Sequence, residues 1–164
     1  MIACVDVDYR DHAVVAACVV FETWTDDRSF EELVVTSDAP PAPYEPGRFY
    51  RRELPHLLGV LSLLVTPLAA VIVDGYVWLG RGNPGLGAHL YDAPPCRTTP
   101  VIGVAKTAYA RADAIEVIRG ASTRPLYVTA AGIDARTAAE HVREMHGDHR
   151  IPALLRRVDQ LARA

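Results

Sequence analysis

Cysteine is scarce in this 164-residue chain, and its three cysteines are not spaced as pairs. Cys4, Cys18 and Cys96 are odd in number, lie far apart and include no Cys-x-x-Cys pair. This pattern argues against a disulfide framework and against a zinc site made of cysteines. The chain also lacks a cationic start followed by an apolar stretch and a cleavage site, so we expect a reducing, cytoplasmic setting.

An excess of positive charge and a long apolar run are missing as well. The formal net charge is −3, which argues against a protein that coats nucleic acid through bulk charge. Acidic residues crowd into 22–32, whereas the middle of the chain carries many arginines and the only lysine, Lys106. The most apolar segment, 57–73, is interrupted by polar residues and a proline and falls short of a membrane span. We expect a soluble protein with no membrane partner, and the segregation of charge along the chain leaves room for a local basic face.

Apolar residues make up half of the chain, enough at this length for one domain over residues 1–164. Three β-rich segments open the chain and predict an antiparallel meander: IACVDVDY, AVVAACVVFETW and SFEELVVTS. A proline-rich loop precedes leucines at helical spacing over 54–65, with Pro55 in the first turn of that helix. Three later runs are typical of strands buried on both faces: LAAVIVDG, PVIGVAK and PLYVTA. Residues 135–145 and 153–162 are predicted as closing helices.

This order of elements predicts an α/β protein with a mixed sheet, in which three antiparallel strands are followed by parallel strands and flanked by helices. The ribonuclease H-like fold has this order. In it the first and fourth strands are neighbours, so Asp6 and Asp74 could approach each other at the end of the sheet. Ligands gather at such strand ends in open α/β sheets.

Carboxylates held close together repel unless they are protonated or bridged by a cation. Asp6, Asp74 and Glu53 therefore suggest a site for a hard metal such as Mg²⁺. A simpler interpretation makes Asp74 part of a turn after a strand and Glu53 a carboxylate favoured by a helix start. Spacing alone favours the simpler interpretation.

Longer motifs, spread over almost the whole chain, change this balance. They are ACVDVDYRDHAVVAACVVF, PYEPG followed by RREL, VIVDG, GLGAHL, TPVIGVAK, LYVTAAG and HRIPALLRRVDQLAR. Together they resemble the endonuclease V family, nucleases of nucleic-acid repair that cut beside deoxyinosine in DNA and, in some members, inosine in RNA. The most specific motif is PY-x-PG with RE-L-P at the spacing of the family.

The resemblance implies catalytic and metal-binding residues. Asp6 matches the metal aspartate of the first strand, Glu53 the Arg-Glu glutamate and Asp74 the Val-Asp-Gly aspartate. Asp159 falls where many members carry a fourth acidic residue. Lys106 matches the lysine of Gly-Val-Ala-Lys, where an ammonium is well placed to contact a phosphate. The implied reaction is hydrolysis of a phosphodiester 3′ of the modified nucleotide, with Mg²⁺ or Mn²⁺.

The resemblance also implies contacts with DNA, and possibly RNA. In the family the Pro-Tyr-x-Pro turn is a wedge inserted at the lesion, so Pro43, Tyr44 and Pro46 are expected to fill the space of an extruded base. The alternative is a proline-rich loop that packs Tyr44 on the surface of the domain.

Further nucleic-acid contacts are expected along the same surface. Arg48, Arg51 and Arg52 would face phosphates, and Gly75 belongs to the binding surface. His89 would either position a phosphate or fill a helix face. We expect the protein to act as a monomer.

Several positions depart from the family pattern. Tyr76, Trp78 and Gly80 replace small or histidine residues after Val-Asp-Gly, and Glu45 replaces an apolar residue in the turn. A carboxylate near a phosphate is unfavourable, and bulky rings restrict a base pocket. These departures predict weak or broadened inosine selectivity.

Two other functions stay open. A nucleic-acid-binding module could keep the fold and lose efficient cutting. A zinc protein using His141, His146 and His149 is disfavoured, because their spacing fits no zinc pattern.

Overall fold

The computed structural model describes residues 1–164 and contains seven strands and four helices. The strands are β1 Ile2–Tyr9, β2 Val14–Phe21, β3 Glu31–Ser37, β4 Ala70–Asp74, β5 Val101–Ala105, β6 Ile115–Val117 and β7 Leu126–Ala131. The helices are α1 Phe49–Leu61, α2 Leu86–Asp92, α3 Ala135–Glu144 and α4 Ala153–Arg163. All seven strands form one sheet in the order β3-β2-β1-β4-β5-β7-β6.

The first half of the sheet confirms the predicted mixed α/β fold. β1 pairs antiparallel with β2, and β2 pairs antiparallel with β3. β4 then lies parallel to β1, and β5 lies parallel to β4. β1 and β4 are therefore neighbours at the centre of the sheet, as the ribonuclease H-like order requires.

The far edge of the sheet differs from the expected run of parallel strands. β7 is antiparallel to β5, and the short strand β6, which the sequence pattern did not reveal, pairs antiparallel with β7. A parallel neighbour of β5 needs a crossover connection, usually a helix. The connection between β5 and β7 contains no helix and forms the edge strand β6 instead. The chain therefore enters β7 from the opposite direction.

Helix α1 begins earlier than the leucine pattern indicated. It starts at Phe49, so Pro55 lies inside the helix and not in its first turn. Proline has no N–H for the carbonyl four residues before it, and here that carbonyl belongs to Arg51, an exposed residue on the solvent side. The earlier start places Glu53 well within the helix.

Helices cover both faces of the sheet. α1 and α2 pack with one core cluster, which includes Val5, Val71 and Val73. α3 and α4 pack with the other, which includes Cys4, Ile72 and Ile102. All eight residues of β2 are buried, as expected for a strand covered on both sides. None of the helices is long and apolar enough to cross a membrane.

Candidate active site

Asp6 and Asp74 lie side by side on the two central strands. The parallel register pairs Val5 with Val73, which places the two aspartates next in line at the same end of the sheet. Asp74 is the last residue of β4, and its side chain is 44% exposed. Asp6 is half-buried, and its Oδ1 accepts a hydrogen bond of 2.9 Å from the backbone N–H of Val7. The sheet therefore holds the carboxylate of Asp6 below the surface and the carboxylate of Asp74 at the surface.

Helices α1 and α4 bring two further carboxylates to this end of the sheet. Glu53 comes from α1 and Asp159 from α4, and both line one open cleft with Asp6 and Asp74. We call this the carboxylate cleft. Asp159 also accepts a hydrogen bond of 2.9 Å from Arg163 Nε, one turn further along α4. Four elements distant in sequence therefore supply acidic side chains to one place.

The carboxylates of the cleft disturb each other electrostatically. Burial, followed by the charge of Asp74, raises the pKa of Asp6 to about 6. Burial, followed by the charges of Asp6 and Asp74, raises the pKa of Glu53 to about 8. Both shifts have the sign expected for negative charges crowded together out of water. A cation in the cleft would relieve this repulsion.

Lys106 supplies a positive charge at the edge of the cleft. Its Nζ donates a hydrogen bond of 2.8 Å to Asp74 Oδ2. Burial by itself would lower the pKa of Lys106, but the hydrogen bond and charge of Asp74 outweigh it and the pKa is raised. The lysine follows β5 directly, so the parallel pairing of β4 and β5 explains why these two side chains meet.

The donor set suits a hard divalent cation. The four acidic residues offer only carboxylate oxygens, the ligands that Mg²⁺ and Mn²⁺ prefer, and two of them carry pKa values raised by burial and by like charge. No three acidic, histidine or cysteine side chains lie close enough in this arrangement to hold one ion. The residues therefore fit such a metal by chemistry, and holding it requires side chains to rotate toward it.

The histidines considered for zinc do not form a site. The ring of His141 stacks on Trp24 with a centroid distance of 4.4 Å, and it lies on α3. His146 and His149 are exposed in the connection to α4.

The loop of residues 43–46 is open to solvent. Pro43, Tyr44 and Pro46 are all exposed, and Tyr44 is 63% exposed. Glu45 in the same loop does not stand alone, because Arg48 Nη1 lies 3.4 Å from its Oε2. We call residues 43–46 the PYEP loop. The exposure of Tyr44 is compatible with a wedge, and the alternative of a tyrosine lying on the domain surface stays open.

The arginines after this loop are placed differently from the expected row of phosphate contacts. Arg48 and Arg51 both face Glu45, with Arg51 Nη1 3.8 Å from its Oε2. Arg52 turns inward, and its guanidinium carbon lies 3.9 Å from the centroid of the Tyr9 ring. Its Nε is buried without a hydrogen-bond partner. Arg52 therefore packs against Tyr9, and its expected contact with a phosphate stays a prediction.

Sequence reasoning missed Tyr9. Its hydroxyl is buried without a hydrogen-bond partner, and burial together with the charge of Glu53 raises its pKa above the ordinary value. The only signal in the sequence is its position at the end of β1, three residues after Asp6. Tyr9 and Arg52 both lie close enough to Glu53 to influence its pKa.

A second pocket adjoins the carboxylate cleft at Asp74. Its walls include Phe49, Tyr50, Gly75 and Tyr76. Gly75 has φ +122°, a conformation that favours glycine and turns the chain from Asp74 into this wall. We call this the side pocket.

His89 supports the side pocket from behind. Its ring stacks on Tyr50 with a centroid distance of 3.6 Å and an interplanar angle of 17°. Of its two expected roles, filling a helix face describes this position better than contacting a phosphate. Its stacking partner Tyr50 is the residue that faces the pocket.

The two rings after Asp74 do not share one environment. Tyr76 lines the side pocket, and its hydroxyl donates a hydrogen bond of 2.7 Å to the carbonyl of Thr107. Trp78 does not line it, and its Nε1 donates to the carbonyl of Ala130 at 3.1 Å. Gly80 has φ +136°, and a Cβ there would lie 3.0 Å from the carbonyl oxygen of Arg111. Tyr76 is thus the departure that changes the pocket.

Comparison with known proteins gives a consistent result. A model of the family described as Endonuclease V matches residues 1–118. The endonuclease V of Streptomyces avermitilis is 31% identical over 185 residues, which cover 97% of this chain and 77% of that protein. The endonuclease V of Nocardia farcinica is 32% identical, with 99% of this chain and 80% of that protein covered.

Solved structures resemble the fold over nearly the whole chain. The crystal structure of the Streptomyces avermitilis protein matches with a TM-score of 0.78 at 27% identity, covering 99% of this chain and 79% of that one. The endonuclease V of Ciona intestinalis, crystallised with a 24mer DNA containing an inosine followed by a ribo-adenosine, matches with a TM-score of 0.80. Its identity is 18%, with 99% of this chain and 83% of that chain covered, so it supports the fold alone.

Proposed function

The chain belongs to the endonuclease V family, and from this premise we propose that it is a metal-dependent endonuclease that cleaves DNA or RNA 3′ of an inosine-type nucleotide in nucleic-acid repair. The observation that carries this proposal is the carboxylate cleft, where Asp6, Glu53, Asp74 and Asp159 meet beside Lys106. Such a cluster of mutually repelling carboxylates favours a bound cation. The cofactor we propose is Mg²⁺ or Mn²⁺.

Each residue of the cleft has a distinct task in this proposal. Asp6 and Asp74 would hold the ion, with Glu53 and Asp159 completing its surroundings. When bound, the metal would supply Lewis-acid polarisation of the phosphate and a lowered pKa for an attacking water. Lys106, released from Asp74 by the incoming substrate, donates to a phosphate oxygen and offsets its charge.

Tyr9 and Arg52 stabilise the glutamate side of the cleft. The arginine lies over the tyrosine ring, and both side chains lie beside the carboxylate of Glu53. The positive charge of Arg52 favours the ionised form of Glu53, the form that a metal requires. These two residues act through Glu53 and do not touch the substrate.

The surroundings of the cleft suit an extruded base. The PYEP loop carries an exposed tyrosine that could enter a vacated position in the stack, and the side pocket opens next to Asp74. The aromatic walls of that pocket, Phe49, Tyr50 and Tyr76, offer stacking to a base of any identity. We propose that the base beside the cleaved bond occupies the side pocket, with weaker selection for hypoxanthine because of Tyr76.

A catalytically weakened nucleic-acid-binding module of the same fold is the second candidate. It is favoured by the ion pair that joins Lys106 to Asp74 and by the lack of three side chains close enough to hold one ion. Both functions predict binding, so only cleavage separates them.

The test is a cleavage panel. End-labelled single- and double-stranded DNA and RNA, with or without a central inosine, are incubated with the protein in Mg²⁺, in Mn²⁺ or in EDTA. We expect metal-dependent cleavage that EDTA abolishes, with products that map to the 3′ side of the inosine. Binding without cleavage of any substrate would favour the second candidate, and cleavage in EDTA would exclude the metal mechanism.

A further inference from the structure

A cleft separate from the side pocket extends from Lys106 toward the start of α4. Four of its lining residues are basic: Lys106, His149, Arg150 and Arg156. Its single acidic residue, Asp159, is paired with Arg163 at 2.9 Å. We call this the basic cleft. It shares Lys106 and Asp159 with the active centre, so a strand leaving that centre can enter it directly.

The loop that forms one wall of the basic cleft is held in place from inside the protein. Arg119 is 5% exposed, and its guanidinium donates hydrogen bonds to backbone carbonyls of residues 145–150. The four carbonyls belong to Met145, Gly147, His149 and Arg150. A buried arginine that serves four carbonyls of one short segment fixes its backbone. The side chain of His149 is therefore presented from a rigid support.

Arg150 joins the same loop to the active centre. Its Nη2 donates to the backbone carbonyl of Lys106 and to that of Pro125, the latter at 2.7 Å. The guanidinium of Arg150 is thus hydrogen-bonded to the protein backbone and links the position of the loop to that of Lys106. The basic cleft and the lysine beside Asp74 consequently form one rigid unit.

The other two basic side chains of the basic cleft, His149 and Arg156, make no such contacts with the backbone. His149 and Arg156 are exposed, and neither forms an ion pair with a carboxylate. The exposed arginine Arg157, next in sequence, is by contrast paired with Glu32 at 2.7 Å. An unpaired arginine and a histidine N–H donor next to the proposed nuclease centre are suited to phosphate oxygens.

We infer that the basic cleft binds the phosphate backbone of the substrate strand on one side of the cleaved bond, with Arg156 and His149 as its contacts. This inference rests on the proposed function, since it extends the path of the same strand. The contacts reach phosphates and no base edge, so they add affinity and register without adding base selectivity. An acidic chain overall, with charge −3, would in this way still hold a polyanion at one place.

The test measures binding separately from cutting. Fluorescence anisotropy in EDTA follows a labelled single strand with a central inosine, and its adenosine counterpart, over a range of salt concentrations. Arg156→Gln is compared with Arg136→Gln, a change at an exposed arginine of α3 that forms no ion pair and lies outside the basic cleft. His149→Gln is a second variant, and thermal melting checks that all variants are folded.

We expect Arg156→Gln to weaken binding equally for inosine and adenosine strands and to reduce the slope of log affinity against log salt by about 1. Arg136→Gln should leave both quantities unchanged. With neutral methylphosphonate links on the contacted side of the inosine, the wild-type protein should lose affinity and Arg156→Gln should cause no further loss. Equal slopes for Arg156→Gln and Arg136→Gln, or a loss that persists with neutral links on either side, would overturn the inference.

Cutting, scored in parallel with metal present, keeps this inference distinct from the proposed function. A protein that cuts while Arg156→Gln leaves binding unchanged would overturn the basic cleft alone. A protein that never cuts but shows the Arg156 contribution to binding would overturn the nuclease and support the phosphate contacts.

Discussion

The carboxylate cleft and the PYEP loop lie near each other but are built in opposite ways. Asp6 and Asp74 are set by the register of two central strands with buried neighbours, and their positions follow from the pairing of Val5 with Val73. Tyr44 stands on an exposed loop outside the helices and strands and is itself 63% exposed. In the proposed function, the core therefore fixes the residues of the chemistry, whereas the exposed loop proposed for recognition is under no such constraint. Glu45 and Tyr76 are departures from the family pattern.

We expect the largest effect from a substitution in the carboxylate cleft, the region that the core fixes. Asp74→Asn keeps the shape of the side chain but removes a metal-holding charge, so we expect cleavage to fall on the order of 1,000-fold, since several kcal/mol of transition-state stabilisation is lost. Without metal, the melting temperature should stay level or rise, because repulsion on Asp6 and Glu53 is relieved. Initial rates and thermal melts measure both.

The control for this change is Asp113→Asn, at an exposed aspartate outside the cleft. It should alter neither cleavage nor melting. Full activity in Asp74→Asn would remove the basis for the carboxylate cleft as the active centre. Asp6→Asn should behave like Asp74→Asn.

Tyr44→Ala tests the exposed side of the comparison. Only a duplex requires something to fill a vacated stack, so binding to an inosine-containing duplex should weaken more than binding to a single strand, by roughly 1–3 kcal/mol. Phe30→Ala is a matched control, because Phe30 and Tyr44 are both 63% exposed and Phe30 lies directly before β3, outside the PYEP loop. Anisotropy titrations with both substrates give the difference. Equal losses on duplex and single strand would make Tyr44 an ordinary surface residue.

Tyr76→Ala tests the side pocket, which adjoins the carboxylate cleft at Asp74. Removing the ring enlarges the side pocket next to Asp74 and should raise the ratio of cleavage at inosine to cleavage at adenosine several-fold. Trp78→Ala, outside that pocket, should leave the ratio unchanged. The ratio of initial rates on matched strands is the measurement, and a ratio that shifts only with Trp78→Ala would reverse the assignment.

The smallest effect concerns the stability of the metal-free protein. The folded pKa of Glu53, about 8, lies above its ordinary value of 4.5, so the stability it contributes is present at acidic pH and is lost as pH rises through about 8. The metal-free melting temperature should therefore fall over this range, and less so in Glu53→Gln. Glu116→Gln, at an exposed glutamate, is the control. Thermal melts from pH 5 to pH 9, roughly the range that the shift spans, are the measurement, and an identical pH dependence in all three proteins would contradict a raised pKa of Glu53.

Much of the fixed region could be predicted from the sequence. The β-rich segments and the valine runs identify the central strands, and strand order then brings Asp6 and Asp74 together. The direction of β7 could not be predicted, because a short apolar strand has the same pattern in either direction. The predicted start of α1 was also wrong, because the proline at position 55 outweighed weaker helical signals before it.

Contacts between side chains of distant elements could not be predicted from the sequence, for a different reason. Arg52 was expected to face phosphates, and only the packing of α1 against β1 turns it onto Tyr9. Glu45 was expected to be unfavourable near a phosphate, and the pairing of its carboxylate with Arg48 and Arg51 was not foreseen. Spacing along the chain carries no information about which side of a helix meets which strand.

The most direct test of the central claim is the initial rate of wild-type cleavage on two matched oligonucleotides, one with inosine and one with adenosine at the same position, in Mg²⁺ and in Mn²⁺. Because the carboxylates are intact and the proposed recognition surface is divergent, we expect metal-dependent nicking of both oligonucleotides. This nicking should be more readily seen with Mn²⁺ and should show only a modest preference for inosine. A strong, inosine-only cut in Mg²⁺ would contradict this account, because it would show that Tyr76 and Glu45 leave recognition of hypoxanthine intact.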